Sequence, residues 1–352
     1  MIVSIALAGL LLSACGRNSS TPAAVSGLSV IGTPSLNISV PLTTVGCTTT
    51  DYCLAVGTTT LESGATSAAQ VIGPTGGWHS ITIAPISAGS VSRIACGAHT
   101  CLIYGRNATG PLLFTWSVGD AGTTAVPLPD TFLGLADLTC SASTTLDICT
   151  AVSDSEPPAF AVSQNLGRTW TPLTLLSQWL TTTAAQVVDA RCSTASCATV
   201  GSVPTGLSYY QLSPSRSSVT TSTLNSPTSS LPTRSTSTTS SLPKKTFVAT
   251  WCDSLSPVSC TFVVRGSPSS TAALSISHGK KHQVVVPAGS TIACAAHTGC
   301  AALTASGQIA AANWQHTLHV TQTYVPDRFV SVACGRSRCA AVSATTATYF
   351  RP

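Results

Sequence analysis

The hydrophobic positions of this chain come in short runs. "RIAC" (93–96), "TIAC" (291–294) and "SVAC" (331–334) each lead into a cysteine, while "CLAVG", "CLIYG", "CTAVS", "CATVG", "CTFVV", "CAALT" and "CAAVS" each leave another. Runs this short, built of small and β-branched residues and bounded by Gly, Ser and Thr, predict buried strands rather than helices. Beyond the first dozen residues no apolar stretch is long enough to cross a bilayer as a helix.

The cysteines set the register of these strands. Of 15 cysteines, all but Cys15 fall into close pairs: Cys47 with Cys53, Cys96 with Cys101, Cys140 with Cys149, Cys192 with Cys197, Cys252 with Cys260, Cys294 with Cys300, and Cys334 with Cys339. The first members of successive pairs lie 49, 44, 52, 60, 42 and 40 residues apart, the spacing of a four-stranded propeller blade. The fold expected is therefore all-β, a seven-bladed β-propeller of four-stranded antiparallel blades over residues 28–352. Each pair sits at the neck of a hairpin between the first two strands of a blade, where a disulfide can form. The intervening spacers of four to eight residues are longer than the two to four usual at structural zinc sites, so no metal is expected, and no cofactor either.

This many cysteines point to an oxidising compartment. The N-terminal "MIVSIALAGLLLSAC" has the length and apolar character of a signal peptide. Leu12, Ser13, Ala14 and Cys15 resemble the bacterial lipobox, which implies a signal peptide over 1–14, a diacylglycerol on Cys15 and a place on the outer side of a bacterial cell membrane. Residues 15–27 then read as a flexible tether. At the other end, only a second strand and "TATYF" follow Cys339, so the last blade lacks its outer strand; "SLNISVPL" (35–42) is expected to supply it and close the ring. Residues 213–246, rich in Ser and Thr with four prolines and no apolar period, read as a disordered insertion in blade four.

A second motif supports the fold. "SQNLGRTW", Ser163 to Trp170, resembles the Asp-box of BNR repeats, with Asn165 at the aspartate position, and "DAGTTA" matches its core through Asp120, Gly122 and Thr124. In that family the motif closes the hairpin between the two outer strands; it is structural and implies no catalysis. The chain as a whole is similar to bacterial secreted propellers of the BNR and photosystem II assembly-factor-like group.

The resemblance raises the question of a sialidase, whose site needs an arginine triad, a tyrosine paired with glutamate, and an aspartate. The chain holds only Glu62 and Glu156, both in loop-like sequence with no tyrosine nearby, so no catalytic residue is assigned. An envelope glycoside hydrolase or sialidase-like enzyme stays as the alternative to a binding or scaffold protein. His99 and His297 occupy equivalent turns of two distant blades and read as solvated. The net charge of +5 is spread thinly, with four lysines and no basic run, which argues against nucleic acid. The partners expected are the membrane, through the N-terminal lipid, and a glycan or envelope protein, bound by a monomer.

The blade register also nominates a ligand site. The fifth position after each second cysteine is expected to open the loop between the second and third strands, giving Thr58, Arg106, Asp154, Ser202, Arg265, Ala305 and Ala344 on one face. The charged members, Arg106, Asp154 and Arg265, are the candidate binding residues, with the two arginines holding an anionic group.

Overall fold

The computed structural model describes residues 29–32, 40–61, 64–83, 86, 91–142, 147–155, 158–173, 186–192, 197–203, 206–213, 218–224, 246–252, 260–265, 271–277, 280–286, 288–295, 299–314, 318–322, 328–344 and 346–351. These residues form strands joined by turns. A short strand, β1 (Ser29–Gly32), comes first. The first sheet then takes β2 (Leu42–Cys47), β3 (Cys53–Leu61), β4 (Gly64–Ile72) and β5 (Trp78–Ile81). The second takes β6 (Arg93–Cys96), β7 (Thr100–Asn107), β8 (Gly110–Ser117) and β9 (Thr124–Val126), and the third β10 (Leu135–Ala142), β11 (Asp147–Ser153), β12 (Phe160–Ser163) and β13 (Thr171–Pro172). The fourth is β14 (Gln186–Cys192), β15 (Cys197–Val203), β16 (Gly206–Ser213) and β17 (Ser218–Leu224); the fifth is β18 (Thr246–Cys252), β19 (Cys260–Arg265), β20 (Ala272–Ser277) and β21 (Lys280–Val285). The sixth is β22 (Thr291–Ala295), β23 (Gly299–Leu303), β24 (Ile309–Trp314) and β25 (Leu318–Gln322). The last joins β26 (Ser331–Cys334), β27 (Cys339–Val342) and β28 (Ala347–Arg351) to β1.

Within each sheet the strands follow chain order and pair antiparallel, so every sheet is a simple meander. The second strand is the most buried: every residue of β27, and Cys101 to Gly105 within β7, is shielded from solvent. That is why these strands read as continuous apolar runs rather than as alternating ones. They are paired on both edges and covered on both faces. The apolar clusters lie between sheets, as where Leu42, Val45 and Cys53 of the first sheet meet Ala340, Val342 and Tyr349 of the last. Ala and Val suffice as core residues because they let neighbouring sheets approach closely.

The first strands are innermost. They touch in the order β2, β6, β10, β14, β18, β22 and β26, and β26 in turn touches β2. Four of them carry a β-bulge in the backbone register, at Leu42/Thr44, Leu135/Asp137, Val187/Asp189 and Phe247/Ala249, each three residues ahead of the cysteine.

In every sheet the paired cysteines face each other directly across the first two strands. Among the described residues, disulfides join Cys47–Cys53, Cys96–Cys101, Cys140–Cys149, Cys294–Cys300 and Cys334–Cys339, each with a Cα–Cα separation of 4.0 Å. At Cys96–Cys101 the next rung toward the turn carries the hydrogen bond from Gly97 N to Thr100 O at 2.8 Å. Rungs alternate, so the cystine takes the closer, non-hydrogen-bonded rung. Cys192 and Cys197, and Cys252 and Cys260, stand in the same backbone register.

Two expectations are corrected. The strand paired to β28 is Ser29–Gly32, with Ser29 opposite Arg351 and Val30 opposite Phe350, rather than residues 35–42. Leu42 belongs instead to β2, because its apolar side chain is fully buried at the junction with the last sheet. The Ser/Thr-rich segment also starts later than 213: Ser218–Leu224 is the outer strand of the fourth sheet, paired along its whole length to β16. A Thr-rich outer strand suits a half-solvated sheet edge, and composition alone hides it. Residues 225–245 of that segment, like the signal peptide, Cys15 and most of the tether, lie outside the described residues.

Candidate functional site

At one end of the sheets the first-to-second-strand turns of neighbours bind one another. Asp51, held at φ 65° in the turn of the first sheet, accepts hydrogen bonds from the Ser337 and Arg338 amides at 2.8 and 3.2 Å and from the Ser337 hydroxyl at 2.6 Å. Asp147 of the third sheet does the same for the second, accepting from the Ala98 and His99 amides at 2.6 and 3.4 Å. Both aspartates stand two residues before the second cysteine of their pair. The amides they receive follow a glycine, Gly335 or Gly97, at which a Cβ would collide with the carboxylate. Sequence reasoning missed this pairing, although an acidic residue at that fixed offset was its signal. Thr49 N and Thr50 Oγ1 complete the chain of turns by donating to Gly97 O and Ala98 O at 3.0 and 2.7 Å.

Behind Asp51 the Tyr349 hydroxyl donates to the Asp51 carbonyl at 2.5 Å, and the Arg338 guanidinium lies 5.3 Å over the Tyr349 ring. Burial pushes the Tyr349 phenol up to about 12, against the opposing pull of the Arg338 cation.

The innermost strands of the last, first, second and third sheets line a half-open cavity of about 210 Å³. Its charged feature is Arg93, whose Nη1 lies 2.8 Å from Oδ1 of Asp137; the Arg93 side chain is 42% exposed and that of Asp137 7%. The bulge before Asp137 brings it to this position, and its Oδ1 also accepts the Leu138 amide at 2.9 Å. At the same register Thr44 donates to Val91 O at 3.5 Å and Ser331 accepts from Val45 N at 3.2 Å. At Thr44, Arg93, Asp137 and Ser331 the third position before the first cysteine therefore links neighbouring innermost strands.

The three nominated ligand residues do not converge. Arg106 and Asp154 meet at 3.8 Å on the opposite end of the sheets, with side chains 56% and 44% exposed. Gly134 lets them approach, since a Cβ there would lie 2.3 Å from Asp154 Oδ2 and 3.1 Å from Arg106 Nη2. Arg265 is elsewhere and only 2% exposed; its guanidinium donates to the Ser290 carbonyl and, at 3.4 Å, to the Ser290 hydroxyl, and burial lowers its pKa. It belongs to the junction of the fifth and sixth sheets, not to a ligand face. The fifth-position rule fails for a plain reason: Thr58, Arg106, Ser202 and Arg265 still lie within strands, and only Asp154, Ala305 and Ala344 have left theirs.

The outer turns behave unequally. In "SQNLGRTW" the Asn165 Oδ1 accepts the Thr169 amide at 2.8 Å, Ser163 Oγ accepts the Gly167 amide at 2.8 Å, and Gly167 sits at φ 79°. Trp170 Nε1 then donates to Pro127 O of the preceding sheet at 3.0 Å. The "DAGTTA" turn is different: Asp120 Oδ2 accepts the Ser117 amide at 3.1 Å, while Ala121 O and Thr123 N bond to Thr82 of the first sheet. Each outer turn thus docks on the sheet before it. His99 is exposed as expected; His297, Glu62 and Glu156 lie outside the described residues. Among the described residues no three His, Cys, Asp or Glu side chains gather as metal ligands.

Four-stranded meanders set around a cavity by their first strands define a β-propeller, and comparison with solved structures agrees. YCF48 from Cyanidioschyzon merolae matches with a TM-score of 0.54 and 12% identity, over 93% of this chain and 99% of that one. The WD40 beta propeller domain of Doa1 matches with a TM-score of 0.56 and 10% identity, over 92% and 97%. The beta-propeller domain of Cps50 (Swd1) from Myceliophteria thermophila gives 0.56 and 7%, over 92% and 99%. At these identities the likeness concerns the fold. No family model and no curated protein matches the sequence.

Proposed function

We propose that this chain is a cell-envelope binding or scaffold protein. It is a closed seven-bladed propeller with a disulfide across the first two strands of each blade, held to the extracytoplasmic face of a bacterial membrane by a lipid on Cys15. The observation that carries the reading is the cycle of innermost-strand contacts that returns from β26 to β2. A ring of this kind covers both faces of every sheet and leaves its two ends as rigid platforms for partners. The cystines support export, because they persist only in an oxidising compartment. The lipobox-like Leu12 to Cys15 supplies the anchor.

Two measurements test it together. Fractionation should find the protein in the membrane and Cys15→Ala in the medium; equal membrane retention of the variant would remove the lipid anchor from the account. A glycan array and an envelope pulldown with the purified propeller should each be read against a Cys-reduced, unfolded control. Retention of the same molecules by folded and unfolded protein would count against a binding role.

A further inference from the structure

We propose that the axial cavity binds one carboxylate group, on the open edge of Arg93. The inference deepens the reading of the chain as a binding protein and rests on it. Arg93 projects from the start of β6, with its Nη1 fixed on the buried Asp137 carboxylate. Its Nε and Nη2 make no hydrogen bond to the described residues, and these two nitrogens form the side of the guanidinium that matches both oxygens of a carboxylate. Asp137 is itself held by the Leu138 amide, so the guanidinium is oriented before any ligand arrives.

The neighbours show that this arginine exceeds what the ring needs. Thr44 and Ser331 link innermost strands from the same register with a single hydroxyl bond each. Arg93, which lines the cavity, makes its link through Nη1. The two arginines nominated from the sequence lack this arrangement: Arg265 is buried on Ser290, and Arg106 lies at the outer end beside Asp154.

The cavity wall is suited to a polar guest. β2, β6, β10 and β26 are each the edge strand of a sheet, so their inward backbone groups have no ladder partner there. A volume of about 210 Å³ is room for one small acid or one chain end and short of the roughly 300 Å³ where drug-sized sites begin. Two sources share this chemistry: a sugar acid and a peptide C-terminus.

Calorimetric titration of the purified chain with galacturonate against galactose, and with acetyl-alanyl-alanine against its amide, separates the sources. At least one acid should bind saturably and its neutral partner should not; the acid that binds names the source. Arg93→Leu alone strands a buried carboxylate, so the informative variant is Arg93→Leu with Asp137→Leu, which removes both charges. Read at a temperature where thermal unfolding shows the variant folded, it should weaken the acid by at least about tenfold, and Arg106→Ala should bind as the unaltered chain does. Acids that bind no better than their neutral partners, or a double variant that binds the acid undiminished, would overturn the proposal. Membrane retention and partner capture at the propeller ends do not pass through Arg93, so such a failure would leave the scaffold reading standing.

Discussion

Asp51 shows how much one side chain does in this fold. It accepts three hydrogen bonds from residues 286 and 287 positions away in the chain. Replacing it with alanine leaves two amides of the last sheet without their acceptor, and charge-assisted bonds of this kind are worth about 2 kcal/mol. Urea denaturation should show Asp51→Ala destabilised by about that amount, and Asp51→Asn by less. Tyr349 gives a pH test at the same place. Its phenol is pushed up to about 12 in the fold from an ordinary value of 10.0, so the unfolded chain loses that proton first. Stability from this group is complete below pH 10 and falls as pH rises toward about 12. Denaturation at stepped pH should show the margin of the unaltered chain over Tyr349→Phe shrinking across that window. Little of this was legible beforehand: a carboxylate at a turn is ordinary until the partner turn, far along the chain, is known. Arg265 was misread for the converse reason, because a charge at a strand end looks solvated until Ser290 is seen to cover it.

At the scale of elements the sequence was more informative. Cysteines at a fixed place beside each turn located the first two strands of every sheet, and the observed registers pair them one to one. A loop this short makes each bridge worth about 2 kcal/mol on the chain-entropy model, so Cys47→Ser with Cys53→Ser should lower stability by that much in denaturant titration. Peptide mapping without reduction should find every bridge between sequence neighbours, including Cys192–Cys197 and Cys252–Cys260. The strands without cysteines were harder. β17 hides in Thr and Ser, and β1 was mistaken for a later segment, since an outer strand needs only backbone pairing and carries a weak apolar signal. Exchanging residues 29–32 for Gly and Ser would unpair β28, and hydrogen exchange should then quicken in Ala347–Arg351 while β6 to β9 keep their protection.

The whole molecule follows from repetition. Cysteine pairs recurring every 40 to 60 residues implied repeated sheets, and such meanders with buried second strands cover one another's faces. What spacing could not reveal is where the ends of the chain meet, or that Arg93 rather than Arg106 stands in the axial cavity, because both depend on inter-sheet geometry. The proposed closed ring depends above all on the junction of the first and last sheets. A double-mutant cycle of Asp51→Ala with Ser337→Ala, read by urea denaturation, tests that junction directly. Closure predicts a coupling of at least about 0.5 kcal/mol between the two sites; strictly additive losses would contradict it.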